Sequence, residues 1–279
     1  MDKIKLITDS TADLPDFIIE KYDIEVLPLF VIIDKTTYRD GIDIKLPVLL
    51  EKMKNSDEFP ATAQVNPQIF IKCYKKYLDE GCKIISIHLS SRMSGTYQSA
   101  CIARDALEMK DIVVIDSFNV TSGLGIQVIK AAKLIRDGYT IEQIEKKVLE
   151  ISPHVKSTLE FNSLDNLVKG GRLSKTAGII GNILGIKIII EAKNGEMAVA
   201  DKVRGSKKVL KAMLDYIDRK GIKEGEVSIL LHVGKTEILD PLRNELIRRN
   251  VNFIESEVGC VVGVHSGADA CGLFFVEDY

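Results

Sequence analysis

The chain has 279 residues, a length that suits one large domain or two smaller ones and can bury a substantial core. Apolar residues make up 46% and charged residues 28%, which excludes a disordered chain. A net charge of −2 excludes bulk attraction to nucleic acid while leaving room for a local basic patch.

In chain order, Ile4–Thr8 predicts a first strand, and Pro15 opens a helical stretch to Tyr22, a normal place for proline. Val26–Ile33 is β-branched and predicts a strand. Leu46–Lys54 and Pro67–Glu80 carry apolar residues at helical spacing. Lys83–His88 and Asp111–Ile115 predict strands. Ser94–Leu107, Val120–Asp137 and Ile141–Ile151 predict helices, with Gly138 as a stop. Such alternation predicts a parallel, doubly wound sheet with helices on both faces. Pro153–His154 breaks it, which puts a boundary near residue 155 between two α/β lobes, 1–155 and 156–279.

The second lobe predicts a strand over Lys156–Glu160 and a helix over Leu164–Lys169, followed by Gly170–Gly171–Arg172. Strands Ile186–Glu191 and Glu196–Asp201 predict a hairpin turned at Asn194–Gly195. Helix Ser206–Lys220, strand Glu226–His232, helix Leu239–Arg249, strand Asn252–Glu257 and strand Leu273–Val276 complete a mixed sheet with helices. A ligand pocket is expected between or within the lobes.

Cys73, Cys82, Cys101, Cys260 and Cys271 form neither a CxxC pair nor a disulfide framework. They read as reduced thiols of a cytoplasmic protein, packed as small apolar groups. MDKIKLITDS reads as a strand and not as a signal core. The longest apolar run, Gly178–Ile190, is interrupted by Asn182 and Lys187 and is too short to span a bilayer, so a soluble protein is expected.

In a doubly wound sheet, ligands sit outside the carboxyl ends of the strands. Three loops at such ends are rich in hydroxyls: Thr8–Asp9–Ser10–Thr11, Ser90–Ser91–Arg92–Met93–Ser94–Gly95–Thr96 and Asp116–Gly123. Hydroxyls and free helix N-terminal amides suit an anion such as a carboxylate or phosphate; helix capping asks for the same residues. GxSxG, HExxH and GxxxxGK[ST] are all absent. His88, at a strand end, reads as a satisfied core or edge histidine, and no metal site is indicated.

With ITDSTADLP at 7–15, SSRMSGTYQSA at 90–100, Asp116–Ser117, LVKGGRLS at 167–174 and Gly259–Cys–Val–Val–Gly–Val–His265–Ser–Gly267, the chain resembles the DegV family nearly end to end. That resemblance implies a two-lobed, non-catalytic protein that buries a long-chain fatty acid such as palmitate, with no cofactor beyond this ligand. It implies a carboxylate held by Ser94 and by Thr62 of Pro60–Ala61–Thr62–Ala63–Gln64, with His265 beside them. It also implies a separate fatty acid kinase as partner, transient contact with a membrane surface, and partner or phosphate contacts at Arg172 and Arg204. Ala63 stands where the family has Ser, and Ala268–Asp269 where it has Pro-Gly. Gly178–Ile186 is a candidate wall for the acyl chain, or equally plain core. A rival is a hydrolase or transferase with Ser94 as nucleophile, His265 as base and Asp269 as orienting group. A third reading, an adaptor for a kinase or membrane, overlaps with the carrier.

Overall fold

The structure, a computed structural model, describes residues 3–173 and 186–279. Its elements run β1 Ile4–Asp9, α1 Asp16–Lys21, β2 Glu25–Leu27, β3 Phe30–Ile33, β4 Thr36–Arg39, α2 Leu46–Asn55, β5 Ala61–Ala63, α3 Pro67–Asp79, β6 Lys83–His88, α4 Thr96–Leu107, β7 Ile112–Asp116, α5 Ser122–Arg136 and α6 Ile141–Ile151. They continue with β8 Val155–Phe161, α7 Asp165–Lys169, β9 Ile186–Lys193, β10 Glu196–Arg204, α8 Ser206–Lys220, β11 Ser228–Val233, α9 Leu239–Arg248, β12 Phe253–Glu257, α10 Cys260–Ser266 and β13 Ala270–Val276.

Strands β2-β1-β6-β7 form a four-stranded sheet in which every pairing is parallel. The loops after β1, β6 and β7 therefore do share one edge, as their composition led us to expect. A six-stranded sheet, β10-β9-β8-β13-β11-β12, is antiparallel except for its β11–β12 pair. The expected strand over Val26–Ile33 is in fact two. Pro28 has no amide to donate to a ladder; the chain leaves the parallel sheet after Leu27, and β3 joins a separate antiparallel sheet, β4-β3-β5.

Local chemistry accounts for the best-predicted elements. Helix α6 opens with a reciprocal capping box between Thr140 and Gln143 and buries Ile141, Ile144, Val148 and Ile151 at helical spacing. The β9–β10 hairpin turns at Asn194 and Gly195, whose φ values of 54° and 81° are the left-handed pair that a tight hairpin needs.

Helix α5 ties the molecule together. Most of its residues are buried, and it packs against β1 and β6 of the parallel sheet and against β8, β11 and β13 of the mixed sheet. One apolar core thus runs through both sheets, while α8 and α9 cover the outer face of the mixed sheet with a second. The candidate wall at Gly178–Ile186 lies outside the described residues, apart from Ile186 itself.

Candidate functional site

Between the carboxyl edge of the parallel sheet and the inner face of the mixed sheet lies a cavity of about 350 Å³. Each hydroxyl-rich loop contributes to its wall: Thr11 after β1, Met93 and Ser94 after β6, and Val120 and Thr121 after β7. Leu159, Phe161, Met197 and Leu231 line it from the mixed sheet, and Leu29, Leu89, Leu167 and Val261 extend the apolar lining. Against this surface the polar groups are a minority: besides Thr11 and Thr121 they are Thr62 and Gln64 around β5, Ser94, Arg172 after α7, His232 on β11, and His265 and Ser266 on α10. An apolar hollow with a handful of convergent polar groups is the usual form of a small-molecule site.

Thr62 and His265 meet directly, Oγ1 to Nε2, at 3.0 Å. The other ring nitrogen, Nδ1, is buried with no hydrogen-bond partner among the described residues. It rests on Gly170, where a Cβ would come within 2.1 Å of it, so the first glycine of the Gly170–Gly171 pair is the seat of the imidazole. Burial first, and then the charge of Arg172, hold His265 down at about 4 against its ordinary 6.5. The ring is thus neutral near pH 7 and carries one N–H. An orphaned buried N–H is rarer than an orphaned acceptor, which assigns that proton to Nε2. His265 then donates to Thr62, and the threonine hydroxyl is left to donate into the cavity.

Ser94 serves two ends. Its Oγ lies 3.0 Å from Thr96 Oγ1 and accepts from Thr96 N at 3.3 Å, at the start of α4, yet it also lines the cavity. A local turn that satisfies the first amide of α4 and a ligand contact are therefore compatible at Ser94. Gly95 permits the close approach of the Gln64 side chain, which donates to Ser99 Oγ at 2.8 Å.

Arg172, for which the resemblance implies a partner or phosphate contact, is half-buried. Its Nε and Nη2 donate to Met93 O at 3.3 and 3.2 Å, and its Nη1 donates to Gly170 O at 2.6 Å. The guanidinium clasps the 167–173 loop to the 90–96 loop at the cavity wall. Arg204 is exposed at the end of β10, at the opposite end of the hairpin from Gly195, and is not part of the wall.

Among the described residues the catalytic triad of the rival enzyme is not assembled: Ser94 bonds to Thr96, His265 bonds to Thr62, and Nδ1 meets no carboxylate. Asp269 instead places its Oδ1 beside Gly234.

Two buried networks hold the loops in place. Asp9 accepts from Thr11 N, Thr11 Oγ1, Leu89 N and His88 Nδ1 at 2.5 to 3.1 Å. His88 continues to Ser86 at 2.6 Å, and Ser86 accepts from Tyr74 at 2.8 Å. His88 is thus the satisfied core histidine that its strand-end position suggested. The second network holds α10. Asp13 Oδ1 accepts from Gly259 N at 2.8 Å, and Asp40 Oδ1 accepts from Cys260 N at 2.7 Å. Asp40 Oδ2 accepts from Ser10 at 2.8 Å. Burial pushes both carboxyls above their ordinary value. The two caps, the seating of His265 on Gly170 and the short strand β5 were not read from the sequence. Among the described residues no cluster suited to a metal is present, and no helix is long and apolar enough to cross a membrane.

The family described as "Uncharacterised protein, DegV family" matches residues 3–278. This chain belongs to the DegV family. It is 56% identical over 279 residues, the whole of both chains, to a DegV domain-containing protein of Clostridium acetobutylicum. Its fold matches a solved DegV family protein of Thermus thermophilus, described by its fatty acid binding, with a TM-score of 0.91 and 26% identity over 99% of this chain and 100% of that one. It also matches DegV of Bacillus subtilis, described as a fatty acid binding protein, with a TM-score of 0.88 and 30% identity over 100% of both chains. In this DegV protein, Ala63 lines the cavity between Thr62 and Gln64 and offers no hydroxyl, so the polar groups on β5 reduce to Thr62.

Proposed function

We propose that this DegV protein binds one long-chain fatty acid, with its carboxylate at Ser94 and Thr62, His265 orienting Thr62, and its acyl chain along the apolar cavity. The observation that carries this is an apolar cavity whose few polar groups include a threonine backed by a neutral histidine. The likeness to the Thermus thermophilus and Bacillus subtilis proteins supports the ligand class. The energetics are favourable. A sixteen-carbon chain such as palmitate has about fourteen methylenes, whose burial contributes on the order of 11 kcal/mol gross. Hydrogen bonds to the charged head add roughly 1.5–3 kcal/mol each, and ordering and association offset much of the sum. The tail supplies affinity and the head supplies orientation.

In this proposal the protein is a carrier that shields the acid, presents it to a separate fatty acid kinase and exchanges it at a membrane surface, with Arg172 and Arg204 as contacts for the partner or for a phosphate. Residues 1–155 and 156–279 are its two lobes. Mass spectrometry of lipid released from the purified protein under denaturing conditions tests the ligand class and names the chain. Stoichiometric fatty acid is expected; a lipid-free protein that also ignores added palmitate would sink the proposal.

A further inference from the structure

A second recess, of about 890 Å³, opens on the surface beside the loop that walls the cavity. The loops after β6 and β7, the end of α6, the start of β8, the hairpin tip and the end of α8 surround it. Five of its lining residues are cationic, Arg92, Lys156, Lys193, Arg219 and Lys220, and Glu191 alone is acidic. That balance opposes the chain's net charge of −2.

The charges are not all satisfied internally. Lys156 and Lys220 each reach Glu277 at 3.0 Å, and Lys193 reaches Glu191 only at 3.8 Å. Arg219 stacks over the Tyr216 ring, and neither it nor Arg92 has an ion-pair partner among the described residues.

Two large apolar side chains stand exposed in the same recess, Phe118 at 46% and Leu149 at 48%. Phe118 is held there at a φ of 47°, with its amide donating to Asp116 Oδ1 at 3.0 Å. An exposed aromatic ring on a fixed loop beside two arginines without ion-pair partners combines residue types enriched at interfaces with an electrostatic preference for an acidic partner.

We propose that this recess docks an acidic segment of a partner protein that also carries an apolar residue. Its carboxylates would meet Arg92, Lys193 and Arg219, and its apolar side chain would lie between Phe118 and Leu149. Concavity favours a chain segment over a bilayer, whose surface is too flat to enter a recess. The site is independent of what the central cavity holds. It nonetheless touches the ligand loop, because Arg92 adjoins Met93 and Ser94 in the cavity wall and Ser90 Oγ donates to Gly195 O at 2.7 Å.

Fluorescence anisotropy of the full chain with a labelled twelve-residue peptide of Asp and Glu containing two Leu tests this. The expected result is salt-sensitive binding that weakens at least tenfold in the Lys193→Glu/Arg219→Glu variant and also when both Leu become Ser. Circular dichroism and lipid content of the variant are expected to be unchanged. Absent binding, equal binding by the variant, or indifference to the Leu residues overturns the proposal. So does loss of co-sedimentation with phosphatidylglycerol vesicles in the variant while peptide binding persists, which would assign the surface to membrane. Should the variant fail to fold, amide shifts of the unmodified protein on peptide addition decide the matter: they must centre on Phe118, Asn194 and Arg219, and shifts centred elsewhere overturn it.

Discussion

A histidine held neutral by burial titrates where an exposed one does not. His265 sits at about 4, so acidification from 6.5 downward should leave its ring uncharged until the pH approaches that value. Nitrogen-15 NMR of the four histidines tests this, and a His265 midpoint near 6.5 would contradict the burial argument. The linkage follows in sign. Because the folded state binds this proton less tightly than the unfolded state, the stability contribution is full above about 6.5 and is lost as pH falls toward 4. His265→Gln should flatten the wild-type slope in that window. The seat of the ring gives a second expectation. Gly170→Ala puts a methyl 2.1 Å from Nδ1 and must displace the imidazole, so fatty acid affinity should fall about tenfold, roughly 1.4 kcal/mol. Gly171→Ala meets no atom within 4 Å but strains a φ of 70°, so it should cost stability while sparing affinity. Equal affinity losses in the two variants would show that the loop, and not the contact with His265, matters.

At the scale of elements, α10 is fixed by carboxylates that come from far away in the chain. Asp13 and Asp40 cap its first amides, and burial raises both. A raised acid binds its proton more tightly when folded, so its stabilising contribution is full below about 3.8 and is lost as pH rises through the folded value. Asp13→Asn keeps an acceptor for Gly259 and carries no charge. It should therefore be more stable than wild type at pH 7.5, with the advantage fading toward pH 4. Thermal unfolding across that range checks it, and a constant offset would refute it. This helix also marks the limit of the sequence. The Asn194–Gly195 hairpin and α6 were legible because their turn and capping residues are neighbours. Helix α10 was not, since it has only seven residues, Gly263 sits in its middle, and the carboxylates that cap it lie more than 200 residues away. Strand β5 has three residues, too few to show a period. Thr62 and His265 stand 203 residues apart, and no spacing rule could have paired them; only the resemblance to DegV proteins did. Conversely, Pro28 was in plain view within Val26–Ile33, and its missing amide was reason enough to divide that strand.

At the scale of the molecule, the cavity draws its walls from both large sheets, and α5 packs against both. A ligand that fills it replaces missing core. Occupancy should therefore act on global stability and not only on one loop. At a free ligand concentration of 100 times Kd, the native state gains about 2.7 kcal/mol. With a few degrees of Tm per kcal/mol for a chain of this size, that is a rise of roughly 5–10 °C. Protein stripped of lipid should melt lower by this amount and regain it on addition of palmitate, whereas octanoate, with about half the methylenes, should restore much less at the same concentration. The Ser94→Ala/Thr62→Val variant separates head from tail. It should retain part of the palmitate-induced rise, because the chain still fills the cavity, while the carboxylate of a carbon-13-labelled acid loses its fixed NMR environment. A variant with an unchanged Tm rise and an unchanged carboxylate signal would remove these two residues from the grip. A stripped wild-type protein whose melting ignores palmitate would mean that the cavity belongs to another ligand.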